Sequence, residues 1–127
     1  MNYWGRRYGS EKDVFWKDAD IFVFPTYYHN ECFPLVILEA MEQGLPVIST
    51  NEGGIRDEVK DGKNGFIVKP QDAIALADAI QRLLDDKDAR LSMGAEGRRM
   101  FKERFIMECF ENNIKGILID CIADNNK

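Results

Sequence analysis

The sequence has few of the residues that bind metals or cross-link a chain. Its 127 residues include one histidine and three cysteines, with no C-x-x-C pair and no zinc-type spacing. Cys109 and Cys121 fall on one predicted helix, where twelve residues at ~1.5 Å each place them about 18 Å apart, too far for a disulfide. We therefore expect free thiols in a reducing compartment and no metal site.

Several functional motifs are also missing. The chain contains no G-x-G-x-x-G or G-x-x-x-x-G-K-[ST] phosphate loop and no G-x-S-x-G nucleophile motif. It has no apolar run near the ~20 residues that span a bilayer. The net charge of −5 argues against a nucleic-acid partner. The basic cluster within residues 96–104 is interleaved with glutamates, which is typical of a mixed-charge helix.

Short apolar runs alternate with helical patterns along the chain. The runs at residues 21–24, 47–49 and 66–68 predict strands buried on both faces, as in a parallel sheet. A further brief strand at residues 3–4 would make four. A doubly wound nucleotide-binding domain has about six strands. The sequence therefore predicts an α/β fold with a partial, Rossmann-like parallel sheet of three to four strands flanked by helices.

Helix signals surround these strands. Ser10 is a suitable N-cap for a short helix, and Pro34 and Gly44 suit the two ends of a helix over residues 34–43. A short helical stretch follows Gly54, and Asp72 is expected to cap a longer amphipathic helix. Two further helices are predicted over residues 88–103 and 106–122. The chain should thus end in two to three consecutive helices.

The loop at residues 26–33 is the first candidate site. In an open parallel sheet, ligands bind beyond the carboxyl ends of the strands, and this loop leads from such an end into a helix N-terminus. The N–H groups of Phe33, Leu35 and Val36 could hold a diphosphate there, whereas Pro34 has none to donate. The alternative is that Asn30, Glu31 or water caps the helix.

Two carboxylates flank this helix start. Helical periodicity places Glu39 off the buried face, which by itself favours a solvated side chain. The position of Glu31 by itself favours a carboxylate that interacts with the helix dipole.

Three other positions near this edge are candidates with simpler alternatives. Gly53 and Gly54 would permit close approach of a ligand, or they form a tight turn. His29 could act as a base or donor, although a lone loop histidine more often does neither. Thr26 belongs to the same loop.

The residues around these positions resemble a known family. The segments ECFPLVILEAMEQGLPVISTNEGGIRDEV (31–59) and DGKNGFIV (61–68) resemble the donor-binding domain of retaining glycosyltransferases of family 4 (group 1), which have the two-domain GT-B fold. The family pattern is a glutamate, seven residues, a second glutamate, then E-A-x-x-x-G-x-P-V and a Gly-Gly loop. The resemblance covers roughly residues 5–122.

The resemblance implies roles for the candidate residues. Glu31 matches the catalytic glutamate, which contacts the donor sugar near the reacting centre, and Glu39 matches the one that binds the ribose hydroxyls. The implied reaction transfers a sugar from a nucleotide-diphosphate sugar with retention of configuration. Amides and basic side chains would stabilise the leaving diphosphate, so no metal or other cofactor is expected. The implied donor-binding backbone comprises Cys32, Phe33, Pro34, Leu35 and Val36, with Thr26, His29, Gly53 and Gly54 as further candidates.

The chain departs from the family pattern in two ways. The usual E-G-F-G is Glu31-Cys32-Phe33-Pro34, so the turn is stiffer and lacks one amide donor. The family's earlier basic residues and its N-terminal acceptor domain have no counterpart here. We therefore expect a C-terminal fragment of a longer enzyme of surface polysaccharide or glycolipid synthesis, cytoplasmic or peripheral at the inner face of the membrane. The fragment alone should be inactive.

Truncation also predicts exposed surfaces. The sheet edge and the apolar side of residues 114–122 would face the missing part of such an enzyme, so self-association is expected. The alternative function is a non-catalytic α/β interaction module, which a native reading frame beginning at Met1 would favour. A response-regulator-like domain would need an acidic cluster at strand ends, and Asp20 alone does not provide one.

Overall fold

Three parallel strands form the centre of the fold in the computed structural model. They are β1 (Phe22–Phe24), β2 (Val47–Thr50) and β3 (Gly65–Val68), in the order β1-β2-β3. Val47 lies opposite Phe22 on one side and Gly65 on the other. The structure describes residues 2–3, 5–30, 32–105 and 107–125, without the side chains of 107–110 and 124–125. The expected partial parallel sheet is confirmed.

Helices precede, connect and follow the strands. The short α1 (Ser10–Asp18) leads into β1, α2 (Leu35–Glu42) joins β1 to β2, and α3 (Ile55–Glu58) lies between β2 and β3. After β3 the chain continues through α4 (Ala73–Asp85), α5 (Lys87–Arg104) and α6 (Met107–Asn125). The α/β class and the run of consecutive helices at the end of the chain are therefore as predicted.

The two faces of the sheet are covered by different helices. On one face, α2 and α5 bury a cluster that includes Ile37, Met41, Val47 and Met100. On the other face, α4 packs its Leu83 against a cluster that contains Ile48 and Phe66. All four residues of β2 are buried, whereas those of β1 are only partly so. The sheet is thus fully covered at its centre and less covered at β1.

Local sequence signals account for most helix ends. Pro34 precedes α2 with φ −72° and ψ 108°, and Gly44 follows it at φ 73°, the left-handed conformation that glycine favours. Asp72 caps α4 by accepting a hydrogen bond from Ala75 N at 2.9 Å. The expected Ser10 cap is wrong, because Ser10 is the first helical residue and Gly9 occupies the cap position without a side-chain hydrogen bond.

The suggested strand at residues 3–4 is not observed in the part of it that the structure describes. Tyr3 belongs to no helix or strand and is 93% exposed. Trp4 lies outside the described residues.

Charged side chains on α5 pair with one another, as the mixed-charge pattern predicted. Arg99 Nε lies 2.9 Å from a carboxylate oxygen of Glu96, and Arg99 Nη1 lies 2.7 Å from Glu103. The hydrogen bond that Arg99 donates to Glu96, followed by the one it donates to Glu103, raises the pKa of Arg99 above its ordinary value. Within the described ranges, no helix has both the length and the apolarity needed to cross a bilayer.

Two glycines allow α5 to approach the end of α2 closely. A Cβ atom added to Gly94 would lie 2.0 Å from the carbonyl oxygen of Gly44, far inside a normal contact. By contrast, a Cβ added to Gly116 on α6 would have nothing within 4 Å. Backbone contact at Gly94 therefore fixes the spacing between α2 and α5.

This contact predicts opposite effects of the same substitution at two helical glycines. Gly94→Ala should lower the melting temperature by about 3–6 °C, because overpacking against a backbone oxygen costs about 2 kcal/mol and outweighs the gain of ~1 kcal/mol in helix propensity. Gly116→Ala is the matched control and should leave the melting temperature unchanged or raise it. Thermal unfolding followed by circular dichroism would contradict the contact if Gly94→Ala melted as high as the unaltered protein.

Candidate functional site

The loops that follow β1 and β2 meet at the carboxyl edge of the sheet. The N–H of Gly54 donates a hydrogen bond of 2.6 Å to the carbonyl oxygen of Cys32. A Cβ at position 54 would lie 2.1 Å from that oxygen, so only glycine fits. Gly53, at φ 50°, forms the turn that leads into α3. The tight-turn alternative is thus observed, and a ligand role for Gly53 or Gly54 stays a prediction.

Hydroxyl groups of β2 hold the start of the first loop. The buried Ser49 donates to the carbonyl of Phe24 at 2.7 Å, and the buried Thr50 donates to the carbonyl of Thr26. The Thr26 hydroxyl itself accepts from Tyr28 N at 3.2 Å. Thr26 is therefore engaged in shaping the loop, and its donor-binding role stays a prediction.

The start of α2 has the properties expected of an anion site. Pro34 is buried at the N-cap position, and among the described residues no side chain caps the helix. The alternative of an Asn30 cap is therefore not observed. The N–H groups of Leu35 and Val36 belong to the first turn, where helical backbone donors lack intrahelical partners. Glu31, the predicted catalytic residue, lies outside the described residues.

The side chains of Cys32 and Phe33 contact neighbouring parts of the protein and do not converge on one pocket. The Phe33 ring packs on the Phe105 ring with centroids 5.8 Å apart, which ties the loop to the end of α5. Cys32 is exposed and free, with its sulfur 3.5 Å from the carbonyl of Asn30. The contribution of Cys32 and Phe33 to a ligand would accordingly come from their backbone.

Glu39 lies off the buried face of α2, as periodicity predicted. Ile37, Ala40 and Met41 are buried, whereas the Glu39 side chain is 39% exposed. Its carboxylate oxygen Oε2 forms an ion pair with the ammonium of Lys12 on α1. Nothing in the spacing of the sequence pointed to Lys12, because the two residues lie on different elements and meet only through the tertiary fold.

A second pair of charged or ionisable side chains joins the two loops at this edge. His29 Nδ1 is 3.6 Å from Glu52 Oε2, with the histidine side chain 91% exposed and the glutamate side chain 16% exposed. His29 is one of the candidates predicted from the sequence, whereas Glu52 is not. An open hollow of about 460 Å³ adjoins the pair and is lined by Pro25, Thr26, Tyr27, Tyr28 and His29.

The groups available at this edge are backbone N–H donors and carboxylate oxygens that can accept hydrogen bonds. Within the described ranges, no three His, Cys, Asp or Glu side chains are grouped closely enough to hold a metal ion. An uncapped helix start can accept an anion, and a partly exposed carboxylate can accept hydrogen bonds from hydroxyl groups. The structure thus brings the α2 start, Glu39 and the Gly53–Gly54 turn to one edge.

The fold and this edge define an α/β protein of the Rossmann-like class. Residues 2–100 match the family model described as glycosyl transferases group 1. The chain belongs to that family, which confirms the resemblance inferred from its motifs.

Known proteins of this family share both sequence and fold with the chain. The capsular polysaccharide biosynthesis glycosyltransferase CapM of Staphylococcus aureus is 38% identical over 96 residues, which are 76% of this chain and 25% of that protein. Sucrose-phosphate synthase from Thermosynechococcus elongatus superposes with a TM-score of 0.78 at 37% identity, covering 87% of this chain and 27% of that one. The chain therefore spans about a quarter of either protein.

A solved domain matches over a larger share of its length. The C-terminal domain of a glycosyl transferase group 1 family protein from Francisella tularensis has a TM-score of 0.71 at 27% identity, covering 81% of this chain and 52% of that one.

Proposed function

We propose that the chain is the C-terminal donor-binding part of a retaining glycosyltransferase that uses a nucleotide-diphosphate sugar. The observation that carries the proposal is the start of α2 at the carboxyl edge, where no described side chain caps the helix, with Glu39 one turn further along the same helix. Membership of the group 1 family and the similarity to a capsular polysaccharide glycosyltransferase support a role in surface polysaccharide or glycolipid synthesis.

The diphosphate would lie against the first turn of α2. Backbone N–H groups of Phe33, Leu35 and Val36 would donate to its oxygens, and the helix dipole adds roughly half a positive charge there. Pro34 fixes the turn but provides no N–H. We propose that these neutral amides bind the diphosphate without a metal ion.

The ribose would lie beside Glu39. Four residues separate Glu39 from Leu35, so the two positions are about 6 Å apart along the helix at ~1.5 Å per residue. That spacing suits a nucleotide whose diphosphate lies at the helix start and whose ribose hydroxyls donate to the Glu39 carboxylate. A carboxylate can accept both hydroxyl hydrogens at once.

Glu31 is the proposed catalytic residue, on the strength of its place in the family motif. The bond between the sugar's anomeric carbon and the diphosphate oxygen would break to give a short-lived oxocarbenium-like species. The acceptor hydroxyl would then bond to the same face of that carbon and pass its proton to the departing diphosphate. Retention of configuration follows from attack on the same face.

The complete enzyme would include more than this chain. An N-terminal acceptor domain and further basic residues for the diphosphate would complete a site in the cleft of a GT-B enzyme. We place that enzyme in the cytoplasm or at the inner face of the membrane, where nucleotide sugars are made.

Nucleotide titration tests the donor site directly. UDP and GDP, added separately to the isotopically labelled chain, should shift the amide resonances of residues 32–39 with weak affinity for at least one of them. Glu39→Gln should weaken binding about tenfold, because a hydrogen bond to a charged group contributes roughly 1.5–3 kcal/mol. Glu42→Gln, on the exposed side of the same helix, is the matched control and should bind normally. Absence of shifts with both nucleotides would refute the site.

The 127-residue chain alone should show no turnover. Without an acceptor domain, no hydroxyl is positioned on the reacting face, and positioning contributes several powers of ten to such rates. Incubation with UDP- and GDP-sugars, followed by chromatography of released nucleotide, should give the uncatalysed rate. Robust hydrolysis or transfer would show that the chain is not an incomplete enzyme.

The purified chain should associate with itself through α6. Ile114, Ile117 and Leu118 lie on one side of this helix and are 40–63% exposed. In a solution of this chain alone, a second copy is the partner available to cover them. Light scattering over a range of concentrations should show dimers that Ile117→Glu removes. Ala123→Glu, on the opposite side, should leave them intact, and a monomer at every concentration would contradict the expectation.

A further inference from the structure

The ion pair between Lys12 and Glu39 joins two elements that are distant in sequence. Lys12 belongs to α1, and its ammonium lies 6.0 Å from the centroid of the Trp16 ring. That ring packs in turn against Phe22 of β1, with centroids 5.3 Å apart. The lysine therefore extends over an aromatic support that is itself fixed to the sheet, and it reaches Glu39 from a defined position.

We propose that Lys12 is a positioning residue for the ribose-binding carboxylate, an inference that rests on the proposed function of Glu39. The ammonium contacts Oε2. It would hold the side chain in one rotamer while Oε1 stays open to the ribose hydroxyls. The carboxylate retains acceptor capacity beyond one ammonium contact, so lysine and ribose can bind together.

The pair also changes the charge that a nucleotide meets. Glu39 alone would place a negative charge about one helical turn from the proposed diphosphate. The positive charge of Lys12 offsets this negative charge. The Glu39 carboxylate can therefore accept hydrogen bonds from the ribose with less repulsion of the diphosphate. A neutral glutamine would avoid the repulsion but would accept the ribose hydroxyls less strongly.

A neighbouring pair, between Arg7 just before α1 and Glu11 on that helix, shows what an ordinary surface contact looks like. Arg7 and Glu11 are four residues apart in sequence, their charged atoms are 3.8 Å apart, and their side chains are 41% and 67% exposed. Lys12 and Glu39 are 35% and 39% exposed and connect two separate helices. Exposed pairs contribute about 0–1 kcal/mol to stability, so stability alone would not distinguish the two pairs.

The discriminating experiment compares nucleotides with and without ribose hydroxyls. Binding of UDP, GDP and their 2′,3′-dideoxy forms to the 127-residue chain is measured by ligand-observed magnetic resonance. Lys12→Met keeps the side-chain stem on Trp16 but removes the charge. It should weaken binding of the ribonucleotide by about three- to fivefold, the range of a weak charge pair. Binding of the dideoxy form should weaken less, because that form meets the unpaired charge of Glu39 but has no hydroxyl contact to lose.

Two further variants complete the comparison. Lys12→Arg should restore most of the affinity for the ribonucleotide, because it retains the charge and the reach to Glu39. Arg7→Met removes the neighbouring ion pair and should bind both nucleotide forms as the unaltered chain does.

The outcomes separate this inference from the function on which it rests. Equal weakening of both nucleotide forms by Lys12→Met, or no weakening of either, would overturn the positioning role. If Glu39→Gln also weakens both forms equally, or weakens neither, the ribose site itself is wrong, and the role of Lys12 falls with it. If Glu39→Gln loses the preference for the ribonucleotide over the dideoxy form but Lys12→Met keeps it, the role of Lys12 alone is overturned.

Discussion

The parallel pairing of β1 with β2 decides where the described candidate ligand groups lie. Because both strands run the same way, their following loops leave from one edge, and α2 must begin there. Ser49 and Thr50 then fasten the first loop to β2 through buried hydroxyl groups, and the Gly54 amide fastens it again at Cys32. The loop before α2 is thus held through its backbone carbonyl groups by two hydroxyl groups and one amide.

Packing at the far end of α2 completes this support. The Gly44–Gly94 contact sets how closely α5 approaches, and Ile37 and Met41 fill the space between the helix and the sheet. Phe33 packs on Phe105 and links the loop to the end of α5. A rigid helix held at both ends can present Glu39 and the amides of its first turn at a constant separation, which is what recognition of a fixed-length ligand requires.

Residues whose role depends on neighbours in sequence were predictable. Pro34, Gly44 and Asp72 act through local backbone geometry, and the apolar runs identified the three strands because burial on both faces leaves no polar alternation. Ser10 was misjudged because several residues can occupy a cap, and Gly9 does so here. Lys12 and Glu52 were missed since their partners become neighbours only after the sheet has formed. The hydrogen bond from Gly54 to Cys32 likewise could not be predicted from turn propensities.

The charge balance is consistent with the proposed use of backbone donors at this edge. The chain has a net charge of −5, and the described carboxylates of Glu39 and Glu52 lie at the proposed site. A diphosphate approaching such a surface gains attraction from the α2 start, where partial charges need no side chain. Lys12 does not add free positive charge, because it is already paired with Glu39. In the proposed site its effect would be to remove repulsion, so that specificity would reside in the ribose hydroxyls while the amides of α2 would bind the diphosphate.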